Sequence, residues 1–536
     1  MQEKFNKTLI LLVQYFKRDW LKIILWILGV GLFSAGFVPA FEEIAKGQGL
    51  QGMYETLQNP AMIAMIGPSS IESAADYTLG AMYANEMLLF CSLFSMIIAV
   101  LHVVSHTRKE EDLGLTELIR SFQVGRQANS LATIIETIVI NVLLALFISG
   151  VMISFNTDTI SVEGALLFGF TIAMAGIIGA TIALILVQIM PNSSGTTGAS
   201  LGIIGLLYII RAGTDVSNPD LSLVNPLGWG YLTYPFTENN WSLLIFAIIF
   251  SLVAIVLAFS LEGKRDMGSG YLPEKEGREH ARRSLLSVPG LFLKINKGTI
   301  LSWLIAFIAM GMAYGSIYGD MASFIESNAL IQQMFTASSI SIEESFTSVI
   351  MLVMIFLVAI LPISIVNKLF AEENRQHLSQ LFTTKVSRGK FYWTTVILAI
   401  FCGFIGILLA AGSLGATAIY SMDNSSMELI DFLASGYNLF PAVLFYTGLA
   451  SLALGWAPRL GKVVYIYLGY SFILSYFGDI VDLPEWFLNT AAENWLAHMP
   501  TDEFNPNAFF TILLISIVFM FLGYFGYKQR DMVEGA

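Results

Sequence analysis

Apolar runs of membrane-spanning length recur along this chain. A run of about 18 or more apolar residues reads as a transmembrane helix, because a helix satisfies its own backbone polar groups inside hydrocarbon. Twelve are read, near 23–41, 85–105, 130–155, 164–190, 196–212, 241–261, 299–318, 346–367, 392–418, 438–456, 463–478 and 508–527. Of the 536 residues 55% are hydrophobic and only 13% charged, so the expected fold class is an all-α polytopic membrane protein. The first run is full length and no A-x-A-like site follows it, so it is read as a signal anchor rather than a cleaved leader.

Charge sets the orientation. With the N-terminus in the cytoplasm, 26 of the 28 Lys and Arg fall in inside segments, leaving only Lys46 and Arg211 elsewhere. One missed span would scramble that asymmetry. It predicts a multi-pass protein of the plasma membrane with both termini cytoplasmic. The outer segments are acidic, which reads as a solvated face. Cys91 and Cys402 both fall within spans and are read as small buried hydrophobes, with no disulfide framework.

The chain also repeats itself. Arg265-Asp266-Met267 returns as Arg530-Asp531-Met532, at an offset of 265. Glu110-Glu111 returns as Glu372-Glu373, and Val124-x-Arg126 as Val386-x-Arg388, both at an offset of 262. Pro191 and Pro235 have counterparts in Pro458 and Pro500. Each match is weak alone, but they occur in order on a shared pattern of spans. Six spans per half is an even number, so both halves enter the membrane in the same direction, as two parallel six-helix repeats. The boundaries expected are 1–270 for the first half, 271–284 for a polar cytoplasmic linker and 285–536 for the second half. An amphipathic stretch opens each half. Phe5, Leu9, Leu12 and Phe16 follow helical spacing and predict an interfacial helix; residues 285–295 are a weaker counterpart, interrupted by Pro289.

Between the second and third runs lies HTRKEEDLGLTELIRSFQVGRQ, residues 106–127. A bare connection needs only a few residues. Placed on a helix over 110–123, Leu115, Leu118, Ile119 and Phe122 share one face. Glu110, Glu111 and Asp112 sit at its start, where the helix dipole favours acids, and Arg120 and Arg126 lie late. The second half offers Leu378, Leu381 and Phe382 behind Glu372 and Glu373, with Lys385 and Arg388 late. A helix resting on the lipid surface would also explain the pattern; docking to a two-fold cytosolic partner is preferred.

Six spans per half, an amphipathic opening helix and an EE…TEL…V-x-R segment after the second span resemble the bacterial ABC-type exporter permeases of the type-2 class. The long, internally duplicated forms grouped with antibiotic and polyketide exporters are most similar. The resemblance implies that the segment is a cytoplasmic coupling helix seated on an ATP-binding subunit. The ATPase-coupling residues it implies are Glu111, Leu115, Glu117, Leu118, Phe122 and Arg126, then Glu373, Leu378, Leu381 and Arg388. The second copy departs from the pattern, because NRQHLSQL stands where DLGLTEL stands in the first, and unequal docking is expected. The chain has no G-x-x-x-x-G-K-[ST] phosphate loop. It is therefore expected to be no enzyme and to hold no cofactor. ATP and Mg would sit on two copies of a separate ABC ATP-binding subunit.

The fifth run of each half is short and contains glycine, which points to a substrate pathway. Tyr208, Tyr467 and Tyr470 are weak candidates for its lining, although ordinary helix packing explains them as well. Glu136 lies about 10 Å into the third span; a carboxylate at that depth is a functional candidate by default, although a protonated group or one hydrogen-bonded to a neighbouring helix is the preferred reading. Position 398 opposite it in the repeat is Leu398, so it belongs to no symmetric device. His102 and His106 have the i, i+4 spacing of a metal pair, but they lie at a helix end that favours histidine anyway, and no metal site is expected. Arg211 is read as a local ion pair with Asp215.

The function expected is a permease subunit of an ATP-driven exporter, moving a small amphipathic or hydrophobic compound such as an antibiotic, drug or lipid-like molecule across the bilayer. No nucleic acid partner is expected. An ion-coupled secondary multidrug transporter is the alternative, although such proteins usually carry several intramembrane ionisable groups. A non-transport membrane scaffold is the third class.

Overall fold

The computed structural model describes residues 2–46, 49–58, 60–266, 268–273, 279–319, 341–382, 385–422, 427–477 and 484–531. Every regular element among them is helical. Among the described residues eleven helices are long and apolar enough to cross a membrane. The remaining expected run, 463–478, forms the 15-residue helix Val463–Phe477, about 22 Å long at 1.5 Å per residue. Residues 478–483 beyond it lie outside the described residues.

The chain divides into two compact units, Met1–Gly277 and Arg278–Ala536. In the first, the long helices are α1 (Thr8–Ala35), α2 (Leu79–His106), α3 (Ala128–Ser154), α4 (Val162–Ile189), α5 (Ser193–Ser217) and α6 (Ser242–Lys264). In the second they are α7 (Val288–Ser316), α8 (Ile342–Asn374), α9 (Arg388–Ser421), α10 (Phe440–Trp456), α11 (Val463–Phe477) and α12 (Pro506–Gln529). Their starts follow local chemistry. Thr78, Ser161 and Asn192 each accept a hydrogen bond from a backbone N–H three residues on, in the first turn of α2, α4 and α5. Ser341 and Glu344 form a reciprocal capping box on α8.

In unit 1, α4 is the hub. It packs against α2, α3, α5 and α6, while α1 packs along α3. Small residues permit this: a Cβ on Gly179 would press on the Met96 backbone of α2, and one on Gly169 would meet the Ala145 carbonyl of α3. Unit 2 has the same pairings, with α10 against α8, α9, α11 and α12, and α7 along α9.

Two expectations are corrected. The stretch 5–16 is no separate interfacial helix: Phe5 ends a 3-10 turn, Lys7 turns the chain at φ 62°, and Leu9, Leu12 and Phe16 lie in the unbroken helix Thr8–Ala35 that continues as the span. Likewise Pro289 does not interrupt its helix. It occupies the first turn of α7, where its missing N–H has no intrahelical partner to lose. The tenth run is extended backwards by a second helix, Leu429–Asn438, with Leu439 between it and α10.

Candidate functional site

The polar segment after α2 is not one helix. It forms two short ones, Arg108–Asp112 and Leu115–Arg120, separated at Gly114, whose φ of 72° is left-handed. After α8 the chain breaks the same way. Gln376, with φ 61°, separates Asn374 from the short helix His377–Phe382. The two break residues are 262 positions apart, the offset of the flanking matches. A left-handed residue ends a helix by reversing its path, so each segment turns out of its span at the same register.

Each segment is pinned at its base. Arg265, just past α6, grips Glu111 with both guanidinium nitrogens, at 2.6 and 2.9 Å. Arg530, just past α12, grips Glu373 in the same two-pronged way, at 2.5 and 2.6 Å. Arg126 donates to the Arg265 carbonyl, and Arg388 donates to the Arg530 carbonyl at 2.7 Å. The residues whose spacing carried the repeat are therefore the residues of this clamp. Glu111 is only 8% exposed in its side chain and Glu373 is 0% exposed, so each is held inside its own unit. Paired, desolvated charges of this geometry fix orientation. Arg108, fully buried, adds a further anchor in unit 1: it meets Glu111 at 2.7 Å and donates to the carbonyls of Pro191, Gly268 and Ser269. Sequence reading missed Arg108; its signal was the i, i+3 spacing to Glu111.

Beyond the clamp the two segments part. Leu115, Leu118 and Phe122 are 43%, 63% and 66% exposed, next to exposed Leu113 and Glu117. That is an apolar ridge at the end of a span-length helix, of the kind that marks a contact surface. In unit 2 the position of Leu115 holds the exposed, polar His377, while Leu378, 2% exposed, and Leu381, packed against the core of its own unit, stand where the first segment has the buried Thr116 and half-buried Ile119. The side chain of Phe382 lies outside the described residues.

The tyrosine candidates hold segments between the long helices in place. Tyr208 on α5 donates to the Met65 carbonyl at 2.8 Å. On α11, Tyr467 donates to the Thr490 carbonyl and Tyr470 meets the Thr490 hydroxyl, both at 2.7 Å. Tyr467 also lines an apolar groove of about 610 Å³ with Phe445, Leu449, Trp456, Leu460 and Phe519. Arg211 pairs with Asp215 at 2.8 Å, both buried within α5, and Tyr231 and Ser222 donate to the same carboxylate. In unit 2 the buried Glu493 accepts from Tyr446 and Ser475; burial raises its carboxyl above the ordinary range. Glu136 is fully buried on α3 and faces His102, 3.2 Å away on α2. Its hydrogen-bond partner is thus His102, while Tyr208, the one tyrosine of α5, is engaged with Met65.

Residues 285–528 match a family model described as the C-terminal domain of the multidrug efflux system permease Rv1217c. Over 98% of its length the chain is similar to the multidrug efflux system permease protein Rv1217c of Mycobacterium tuberculosis, at 24% identity and covering 96% of that protein. The resemblance to an ABC-type permease is borne out. The matched part of the chain contains Glu373, Leu378, Leu381 and Arg388, and it ends two residues short of Arg530. The alignment to the mycobacterial protein extends over the first half as well, so the exposed ridge of 113–122 belongs to the similar region. The chain is a multi-pass membrane protein.

Proposed function

We propose that this chain is the transmembrane permease subunit of an ATP-driven efflux system in a bacterial plasma membrane. Twelve spans in two parallel six-span repeats would carry it, with both termini and both clamped segments in the cytoplasm. Two ATP-binding subunits, holding ATP and Mg, would dock on the clamped segments and drive an amphipathic or hydrophobic compound outward. The single observation that carries this reading is the exposed ridge of Leu115, Leu118 and Phe122 on a segment anchored by Glu111 and Arg265. A ridge rigidly joined to the ends of α2 and α6 can pass a push from a soluble partner into two spans at once. The recurrence of the clamp at Glu373 and Arg530 supports a second docking segment. The name of the mycobacterial relative supports efflux, and the apolar groove beside Tyr467 supports an apolar cargo.

The clamp changes which residues should touch the partner. Glu111 and Glu373 serve as anchors, and Leu118, Phe122 and Glu117 as the contact face. The test is co-purification with a candidate ATP-binding subunit, together with export of a hydrophobic dye. Leu118→Asp combined with Phe122→Asp is expected to abolish capture and export while leaving the permease folded. Undiminished capture and export in that variant would overturn the assignment.

A further inference from the structure

We propose that His102, His106 and Glu136 form a binding site for a divalent transition-metal ion of the zinc class, within unit 1. His102 and His106 stand one turn apart on α2 with ring centroids 4.2 Å apart. Glu136 comes from α3, and its Oε2 lies 3.2 Å from His102 Nε2. One donor atom from each of the three lies within 4.8 Å of the other two. Donors around a tetrahedral zinc, each at roughly 2.0–2.2 Å from it, stand about 3.4 Å apart, so closure onto an ion needs side-chain adjustment and no rearrangement of helices.

A second observation points to a ligand. Glu136 is 0% exposed, and its other oxygen, Oε1, has no hydrogen-bond partner in the structure. A buried carboxylate oxygen left unpaired is costly, and native structures normally find it a partner. A cation bound between Glu136 and the two imidazoles would remove that cost. The surroundings also suit a metal. Asp19 of α1 lies 2.8 Å from His106 Nε2 and is itself held by Arg18 at 2.9 Å and Lys22 at 2.5 Å. A carboxylate on one ring nitrogen fixes the tautomer and frees the other nitrogen to coordinate, the usual outer shell of a metal-bound histidine. That other nitrogen, Nδ1, lies 2.9 Å from the Ser105 hydroxyl and 2.9 Å from the His102 carbonyl, which can only accept, so coordination through Nδ1 requires the His106 ring to turn away from that carbonyl. The charges facing the group are Asp19, Glu110 and Glu136 against Arg18 and Lys22, whose side chains are 47% and 77% exposed. The inner charge is thus acidic and the cations lie at the rim.

The i, i+4 histidines alone gave no reason to expect a metal, because the third ligand is contributed by a different span. The site is confined to unit 1. At the positions 262 further on, unit 2 has Ser364, Lys368 and Leu398, none of which could replace the three ligands together.

The experiment uses the full chain, purified in detergent without a histidine tag, stripped with chelator and titrated with Co(II) and then Zn(II) in the absence of any ATP-binding subunit. The expected result is about one ion per chain, a Co(II) ligand-field spectrum displaced by Zn(II), and quenching by Co(II) of Trp26, whose ring lies 5.6 Å from that of His102. Glu136→Gln, nearly isosteric, and the double variant His102→Ala with His106→Ala are each expected to lose the spectrum. Asp19→Asn is expected to weaken binding by about 10–100-fold. His280, His377 and His498 remain in every variant and report adventitious binding. Equal binding by wild type and either ligand variant, or none by wild type, would overturn the proposal. Should a variant fail to yield folded protein, X-ray absorption at the zinc edge of wild type decides: two imidazole shells are expected, and a shell of carboxylate and water alone would sink it.

Discussion

The segments 108–122 and 372–382 share an anchor and differ in what they present. Both are gripped by an arginine just past the last helix of their unit, and both turn at a left-handed residue. The first then exposes Leu115, Leu118 and Phe122, whereas the second carries His377, Gln380 and Thr384 at the positions 262 further on; Leu378 and Leu381 answer to Thr116 and Ile119, buried and half-buried alike. The contrast separates two constraints. An ion pair buried inside a unit is needed wherever the segment must be held, so it recurs. The face beyond it is, in the function proposed above, the one that would meet a partner, and the two faces differ in the residues they carry. Equivalent anchors with unequal faces mean that two identical ATP-binding subunits would meet unlike docking surfaces.

Removing the anchor should have the largest effect. Glu373→Ala strands Arg530 among buried groups and is expected to cost about 3–5 kcal/mol, read as a lowered denaturation midpoint in detergent. Glu111→Ala should cost at least as much, because it strands Arg108 as well as Arg265. A loss under about 1 kcal/mol at either site would mean that the pair behaves as a surface ion pair and that the anchors are not equivalent after all.

The faces should respond in opposite senses. Leu378→Ala removes a side chain packed in the unit core and is expected to cost about 2–5 kcal/mol of stability. Leu118→Ala, at 63% exposure, should change stability by no more than about 0.5 kcal/mol. Its effect should fall on the partner instead, weakening ATP-binding-subunit affinity by about 2 kcal/mol, roughly 30-fold, if it is a hot spot. Isothermal titration of the two variants alongside their unfolding curves makes the comparison. Should Leu378→Ala weaken the partner while sparing stability, the second face would be a docking surface too, in a form that opens on binding.

These contrasts show what the sequence could carry. The spans were legible because apolar length survives any packing arrangement, and the clamp residues were legible as repeated letters, Glu-Glu, Val-x-Arg and Arg-Asp. Their role was not, since spacing along the chain says nothing of Arg265 reaching back to Glu111 across 154 positions. The helix expected over 110–123 grouped Leu115, Leu118 and Phe122, which are exposed, with Ile119, which is half-buried; it overlooked Gly114, where the chain turns, and the helix ends at Arg120, short of Phe122. Leu378 matched the helical pattern as well as Leu118 did, and only packing distinguishes a buried leucine from an offered one. Glu136 was singled out by depth alone; its neighbour His102 comes from another helix, and Asp19 joins the group from a third through His106, so no local pattern could supply them.

The smallest effect tests the break itself. Gly114 sits at φ 72° with open space around the position of a Cβ, so Gly114→Ala meets no clash and pays only the left-handed backbone penalty, about 1–2 kcal/mol. Gln376 already bears that penalty at φ 61°. Gln376→Gly should therefore stabilise unit 2, but by under about 1 kcal/mol, because glycine also gains freedom in the unfolded chain. Unfolding midpoints of the two single variants measure both shifts. Opposite signs would establish that both segments turn at a left-handed residue and that only the first uses the residue suited to it. A loss of stability in Gln376→Gly would mean that the glutamine side chain contributes more than its backbone costs, and the second turn would then be maintained by contacts the first one lacks.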